Sequence, residues 1–399
     1  MKPLSKIAAS VPPSATLAVD SLAKQMKAEG KPVVGFGTGE PDFATPQNIV
    51  DAAIAAIHAG KTKYTPAAGI PELRRAAAER LRLDCGLDYK PSEIVVASGA
   101  KHSLFAALMC LLDAGDEAIL PAPYWLTYAE AVRFSGAVPV VVYADEPSDF
   151  KVTAAQIDAA VTERTKLLII NNPSNPTGML YDRDELRAIA DVAVRHDLYV
   201  VADEIYYKLL YDGRVFTSIA SLGDDVRERT IIINGVSKSY AMTGWRVGYS
   251  ASNAALATVM ANYLSHSTSA PSTISQWAAV EALAGDQSTI EDMRKIFEQR
   301  RDYVVQHVNA IQGLSCPTPH GAFYVMINVA SAFGKRCGDR VIANADDFAL
   351  ALLESQYVAL VSCESFGCPN YVRISYAASM DDIATGIDRI ARFMEELHG

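Results

Sequence analysis

Six short apolar or β-branched runs constrain this chain most: Glu93–Ala97, Ala118–Leu120, Val138–Tyr143, Leu167–Asn171, Leu198–Ala202 and Thr230–Asn234. Each has the length of a buried strand, and they alternate with helical segments such as Ser103–Leu112 and Arg183–Arg195. Strands linked through helices lie parallel and cross over right-handed, so the pattern predicts an α/β fold with a parallel sheet and helices on both faces. Ligands of such sheets gather at the carboxyl ends of strands. The residues that follow the six runs are therefore the first candidates for a site.

After Thr230–Asn234 comes Ser237-Lys238-Ser239-Tyr240-Ala241-Met242-Thr243-Gly244-Trp245-Arg246. An ammonium among apolar and aromatic neighbours has its charged form disfavoured, so Lys238 can act as an amine nucleophile towards a carbonyl. Arg246, with the Ser237 and Ser239 hydroxyls, supplies donors for a phosphate close by. Aldehyde plus phosphate points to pyridoxal 5'-phosphate (PLP). A lone Ser-Lys pair is better read as a solvated loop, and it is the other strand ends that reverse this preference. Ser98-Gly99-Ala100-Lys101 joins a strand to a helix and aims free amides at an anion, without the spacing of a P-loop. Trp125 follows another strand; alone it reads as core, but beside a phosphate seat it can stack on a pyridine ring. Asp203 ends a third, where a buried carboxylate needs a partner and a protonated pyridine nitrogen would serve. Gly35, Gly37 and Gly39 do not form a dinucleotide fingerprint, because the spacing is wrong and Pro41 follows instead of a helix. Gly39-Glu40-Pro41-Asp42 reads as a turn near substrate, and Tyr64, taken alone, as a loop aromatic.

A chain of 399 residues suits one large domain and a smaller one. A net charge of −10 with no Lys/Arg run weighs against nucleic acid. The N-terminal Met1–Lys6 is followed by no apolar core of signal-peptide length, and no apolar run reaches membrane-spanning length, so a cytoplasmic protein away from the membrane is expected. Six scattered cysteines without a Cys-x-x-Cys indicate neither a disulfide framework nor a metal site. Residues 1–14, with Pro3, Pro12 and Pro13, read as an extended arm of the kind that reaches a partner subunit. Residues 45–285 read as a large PLP-binding domain. Residues 286–399, with a helix at Met293–Asn309 and strands at Ala322–Asn328 and Tyr371–Tyr376, read as a small α/β domain that residues 15–44 join.

Eight motifs occur in one order over essentially the whole chain: Ser-Ala-Thr at 14–16, Gly-Glu-Pro-Asp at 39–42, Lys-Tyr-Thr-Pro-Ala-Ala-Gly at 63–69, Pro-Tyr-Trp at 123–125, Asn-Pro-Thr-Gly at 175–178, Asp-Glu-Ile-Tyr at 203–206, the 237–246 segment, and Arg-Ile-Ser-Tyr at 373–376. Together they resemble the fold-type I PLP enzymes, specifically class I aminotransferases of the bacterial aspartate aminotransferase subgroup Iβ. The resemblance implies a large, mostly parallel sheet domain with a smaller α/β domain. It makes Lys238 the aldimine lysine and the base that moves the substrate Cα proton. Asp203 is implied on the pyridine nitrogen, Tyr206 and Asn175 on the phenolate oxygen, and Trp125 on the ring. Gly99, Ala100, Lys101, Ser237 and Arg246 are implied at the phosphate, with Tyr64 reaching in from the other subunit of a homodimer with shared sites. Arg373 is implied at the substrate α-carboxylate, assisted by Asn175, Trp125 and the Gly39 backbone. Lys101, Ser14 and Thr16 are implied at a distal carboxylate, hence L-aspartate and 2-oxoglutarate as substrates in a ping-pong reaction.

Pro12 stands where members that also transaminate prephenate commonly carry a lysine, which counts against that activity. Val361–Gly367 departs from the Pro-Gly loop usual before the family arginine. Transamination of aromatic or neutral amino acids and PLP-dependent β-elimination share the same early chemistry; Lys101 favours dicarboxylates. A PLP-binding regulator would need a winged helix before the first motif, and about 14 residues leave no room for one.

Overall fold

The computed structural model describes residues 2–11 and 15–399. The six expected strands form, as β1 (Ile94–Ala97), β2 (Glu117–Ala122), β3 (Val138–Tyr143), β4 (Thr165–Asn171), β5 (Tyr199–Asp203) and β6 (Thr230–Gly235). A seventh, β7 (Gly248–Ala251), completes one sheet in the order β1-β7-β6-β5-β4-β2-β3. It runs antiparallel to both β1 and β6, while the other strands pair in parallel, so the sheet is mostly parallel as expected, with one antiparallel strand. Gly-Tyr-Ser-Ala contains no β-branched run, and only its pairing partners make it a strand.

Side chains alternate across the sheet with period two. Leu167, Ile169 and Val201 face one core with the helices Ala100–Leu111 and Ala254–His266. Leu168, Ile170 and Val200 face another with Arg183–Arg195. That helix begins where its sequence says it must: Asp182 accepts from the amides of Asp184 and Glu185, and the Glu185 carboxylate accepts from the Asp182 amide. Asn171 lies opposite Asp203 and Asp203 opposite Ile233, so β4 and β5 finish at one level and β6 two residues beyond it. This register brings the polar residues after each strand together.

A smaller unit is built on β8 (Tyr324–Asn328), β9 (Val361–Ser362) and β10 (Tyr371–Ser375), antiparallel in the order β9-β10-β8. Its core contains Phe297, Phe348 and Phe393, from the helices Ser288–Val308, Ala345–Gln356 and Met380–Glu396, and Phe323 and Tyr376, which adjoin the ends of β8 and β10. The N-terminal segment enters it: Val34 and Gly35 pair in parallel with Val358 and Ala359, and Phe36 is buried in the core. Farther on, Asp42 accepts a bidentate pair of bonds from Arg300 at 2.6 and 2.9 Å, tying the Gly-Glu-Pro-Asp turn to the long helix.

Several boundaries differ from expectation. Lys6–Ser10, read as part of an extended arm, is a helical turn capped by Ser5, whose side chain accepts from the Ala8 amide. The long helix starts at Ser288 rather than Met293, because the added turn buries Ile290 in the core of the large unit, a contact that the spacing within the helix does not announce. β8 starts at Tyr324 because Ala322 adopts a left-handed φ of 57°. Among the described residues no helix is long and apolar enough to cross a membrane, no acidic, His or Cys cluster could hold a metal, and all six cysteines are free.

The close passage of β7 over the start of the helix Ala100–Leu111 explains Gly248. A Cβ there would lie 2.2 Å from the Ala100 nitrogen and 2.4 Å from the Gly99 carbonyl carbon. Gly248→Ala is expected to lower stability by about 2–3 kcal/mol, seen as a fall of several degrees in Tm. An unchanged Tm would mean that β7 and the helix can separate without cost.

Candidate active site

The neighbouring ends of β4, β5 and β6 open into a cavity of about 420 Å³. Gly39, Ala100, Lys101, Trp125, Asn175, Asp203, Tyr206, Ser237, Lys238, Arg246 and Arg373 all line it. These come from strand ends, from a helix start, from the N-terminal turn and from β10 of the smaller unit. Gly99 lies just beneath. Tyr64 is elsewhere, fully exposed beside the 267–274 segment. Ser14, and Pro12 before it, fall outside the described residues, as does the side chain of Thr16.

Lys238 follows β6, and its ammonium donates to the Gly39 carbonyl. Burial pushes its pKa down to about 8; the Glu40 carboxylate opposes this, while Arg246 and Arg373 reinforce it. The result is an amine that loses its proton far more readily than a surface lysine. Asp203 is the counterpart at the end of β5. Burial raises its pKa to about 6, against the Tyr128 hydroxyl that donates at 2.7 Å and the Ile205 amide at 3.2 Å. A buried carboxylate with two neutral donors is incompletely satisfied, and a cationic ring nitrogen would complete it.

The phosphate seat is equally specific. Ala100 and Lys101 are the first residues of their helix, so their amides have no intrahelical acceptor. Gly99 precedes them at φ +90°, and a Cβ there would come within 2.4 Å of Arg246 Nη2. Arg246 is held over this turn by the carbonyls of Thr243 and Ser98, at 2.9 and 3.4 Å. Buried Ser237 faces the same space. Two amides at a helix start, a hydroxyl and a guanidinium fit a phosphate dianion, and Lys238 and Asp203 fit the aldehyde and the ring nitrogen of the same molecule.

Trp125 packs edge-on against Tyr128, with ring centroids 5.5 Å apart, and the Lys101 ammonium lies 4.8 Å over its indole. Burial, then repulsion from Arg246, lowers the Lys101 pKa. Arg373 donates from Nη1 to Asn175 Oδ1 at 2.9 Å and from Nη2 to the Gly37 carbonyl at 2.8 Å. Asn175 thus spends its oxygen on Arg373 and keeps its Nδ2 for another acceptor. The Tyr206 hydroxyl meets that of Tyr324 at 2.9 Å.

Tyr128, Tyr324, Glu40 and Thr243 also line the cavity, and sequence reasoning did not single them out. Tyr128 had a signal, sitting three residues after Trp125 where the next helix begins. Tyr324 had none, since on β8 it reads as one more core aromatic. Thr243 donates to Glu40, a contact between positions 203 residues apart that no spacing announces.

A family model described as "Aminotransferase class I and II" matches residues 31–390, and the chain belongs to that family. It is a PLP-dependent aminotransferase with the fold-type I architecture. It is 48% identical over 392 residues, 98% of this chain and 99% of the relative, to an aspartate aminotransferase of Geobacillus stearothermophilus. Among solved structures, the aspartate aminotransferase from Rhizobium meliloti superposes with a TM-score of 0.96 at 42% identity, covering 100% of both chains. The aspartate aminotransferase from Thermus thermophilus with maleate does so with a TM-score of 0.93 at 39% identity, covering 98% of this chain and 100% of that one.

The depressed pKa of Lys238 can be measured on the cofactor-free protein by labelling with a small aldehyde and borohydride, followed by peptide mass spectrometry. Labelling of Lys238 is expected to rise about tenfold per pH unit below its pKa and to level off above about 8, whereas exposed lysines continue to rise towards about 10.4. A Lys238 profile that tracks the exposed lysines would show that burial does not shift it.

Proposed function

We propose that the protein transfers the amino group of L-aspartate to 2-oxoglutarate, giving oxaloacetate and L-glutamate in two half-reactions. The observation that carries this reading is that Arg373 and Lys101, two cations able to receive two carboxylates, open on the cavity that holds Lys238. The maleate found with the Thermus thermophilus aspartate aminotransferase is a dicarboxylate and supports the same reading. Transamination of aromatic or neutral amino acids would leave Lys101 without a carboxylate to receive in that cavity.

PLP, when bound, supplies the electron sink that makes a substrate Cα–H acidic. The chain's own residues do the rest. Ala100 and Lys101 amides, Gly99, Ser237 and Arg246 would hold the phosphate; Asp203 as a carboxylate would keep a proton on the ring nitrogen; Trp125 would cover the ring. Tyr206 would donate to the phenolate oxygen with Asn175 Nδ2. Lys238, neutral once its proton is lost, would take the proton from substrate Cα, deliver it to C4′ of the cofactor, and carry a proton the opposite way in the second half-reaction. Arg373 fixes the α-carboxylate with Asn175, Trp125 and the Gly39 backbone near it, and Lys101 receives the distal one with Ser14 and Thr16.

Tyr64 points to the surface of one chain, which suits a residue that serves the phosphate of a second copy in a homodimer with shared sites. The division into an arm of 1–14, a large domain of 45–285 and a small domain of 15–44 with 286–399 is supported by the pairing of Val34–Gly35 with Val358–Ala359. Free cysteines are in keeping with a cytoplasmic location.

The test is single-turnover bleaching of the visible cofactor band by aspartate, glutamate, phenylalanine and alanine without an oxo acid. Aspartate and glutamate are expected to react fastest; a preference for phenylalanine or alanine would overturn the substrate assignment and leave the class intact. Lys101→Ala is expected to cost aspartate about 10- to 100-fold in kcat/KM and alanine little. Equal losses for both would remove Lys101 from distal-carboxylate recognition. Asp203→Asn is expected to retain the phosphate contacts but lower kcat by at least about 100-fold, since the carboxylate no longer holds the ring proton.

A further inference from the structure

We infer that Phe366 is a positioning residue for α-carboxylate recognition, acting through Arg373 from outside the cavity. This rests on the proposed role of Arg373. The Arg373 side chain is almost wholly buried, and its donors are unevenly used. One hydrogen of Nη1 goes to Asn175 and one of Nη2 to Gly37, while Nε is buried with no acceptor. The donors left for a carboxylate are therefore one hydrogen each on Nη1 and Nη2, and their direction depends on the plane of the guanidinium.

Two hydrogen bonds leave that plane free to rock about the line joining their acceptors. Aromatic rings stop it. The guanidinium carbon lies 4.5 Å from the ring centroid of Tyr324 and 5.2 Å from that of Phe366. Tyr324 faces the cavity, but Phe366 is fully buried and does not line it. It can influence a carboxylate only by holding the arginine.

The backbone around Phe366 is anchored to the large sheet. Glu364–Phe366 form a single 3-10 turn after β9, and the Phe366 carbonyl accepts from the Tyr124 amide at 3.0 Å, one residue before Trp125. Gly367 follows at φ +82°, so close to the end of β2 that a Cβ there would meet the Ala122 Cβ at 3.2 Å. The segment that lacks the family's usual Pro-Gly loop thus docks on the strand end that presents Trp125 and carries the ring that packs on Arg373. The substrate arginine and the indole platform share one support.

The test uses holoenzyme of wild type, Phe366→Leu, Arg373→Lys and the double variant, with aspartate, glutamate and alanine as donors. Phe366→Leu is expected to raise KM about tenfold, by the same factor for all three donors because all share an α-carboxylate, with kcat changed less than about twofold and the visible cofactor band unchanged. Arg373→Lys is expected to raise KM more strongly, and adding Phe366→Leu to it is expected to change nothing further, because the ring acts through the guanidinium. Additive losses, a loss that differs between donors, or an unchanged KM in Phe366→Leu would each overturn the inference. If Arg373→Lys itself leaves KM unaltered, the reading of Arg373 fails first. Should Phe366→Leu lose its cofactor band, Phe366→Met, closer in volume, carries the same expectations.

Discussion

Everything in this molecule depends on keeping charged groups out of water at the ends of neighbouring strands. Lys238 and Asp203 follow or close β6 and β5, and burial shifts both towards their neutral forms. Left to themselves they are a cost to the fold. A cofactor with a reactive carbonyl, a basic ring nitrogen and a phosphate converts that cost into binding, since each shifted group then acquires a partner. The register of β4, β5 and β6 matters for this reason more than for the strength of the sheet.

The smaller unit contributes by direction rather than by charge alone. Arg373 sits on β10, but its orientation is set by Asn175 from the large sheet, by Gly37 from the N-terminal segment and by two aromatic rings. Glu40 and Thr243 join the same segment to the lysine loop, and Asp42 with Arg300 joins it to the long helix. Residues 37–42 therefore touch the lysine, the arginine and the small-unit scaffold within six positions.

Much of this was legible in the sequence. Short apolar or β-branched runs announce strands because their side chains suit a pleated, buried surface, and six of the seven strands of the large sheet have such runs. The residues at the ends of those strands could then be assembled without coordinates, and Lys238, Asp203, Trp125 and the Gly99–Lys101 turn line or underlie one cavity. β7 was not legible, because Gly248–Ala251 becomes a strand through pairing alone. Tyr128 and Tyr324 were missed for a related reason: an aromatic with a hydroxyl looks like core until its partner is known, and the partners are Asp203 and Tyr206. The 361–367 segment could be recognised as unusual, but its contact with Arg373 is a tertiary fact.

The parallel pairing of Val34–Gly35 with Val358–Ala359 has a consequence for biosynthesis. During translation the large sheet can close once β7 has emerged, with well over a hundred residues still to be made. The Val34–Gly35 segment, although synthesised before that sheet, has no strand to join until position 359 has left the ribosome. Gly37 and Gly39 reach Arg373 and Lys238 only after that, so the site is assembled long after the sheet that carries it, and the growing chain carries its lysine unmasked until then.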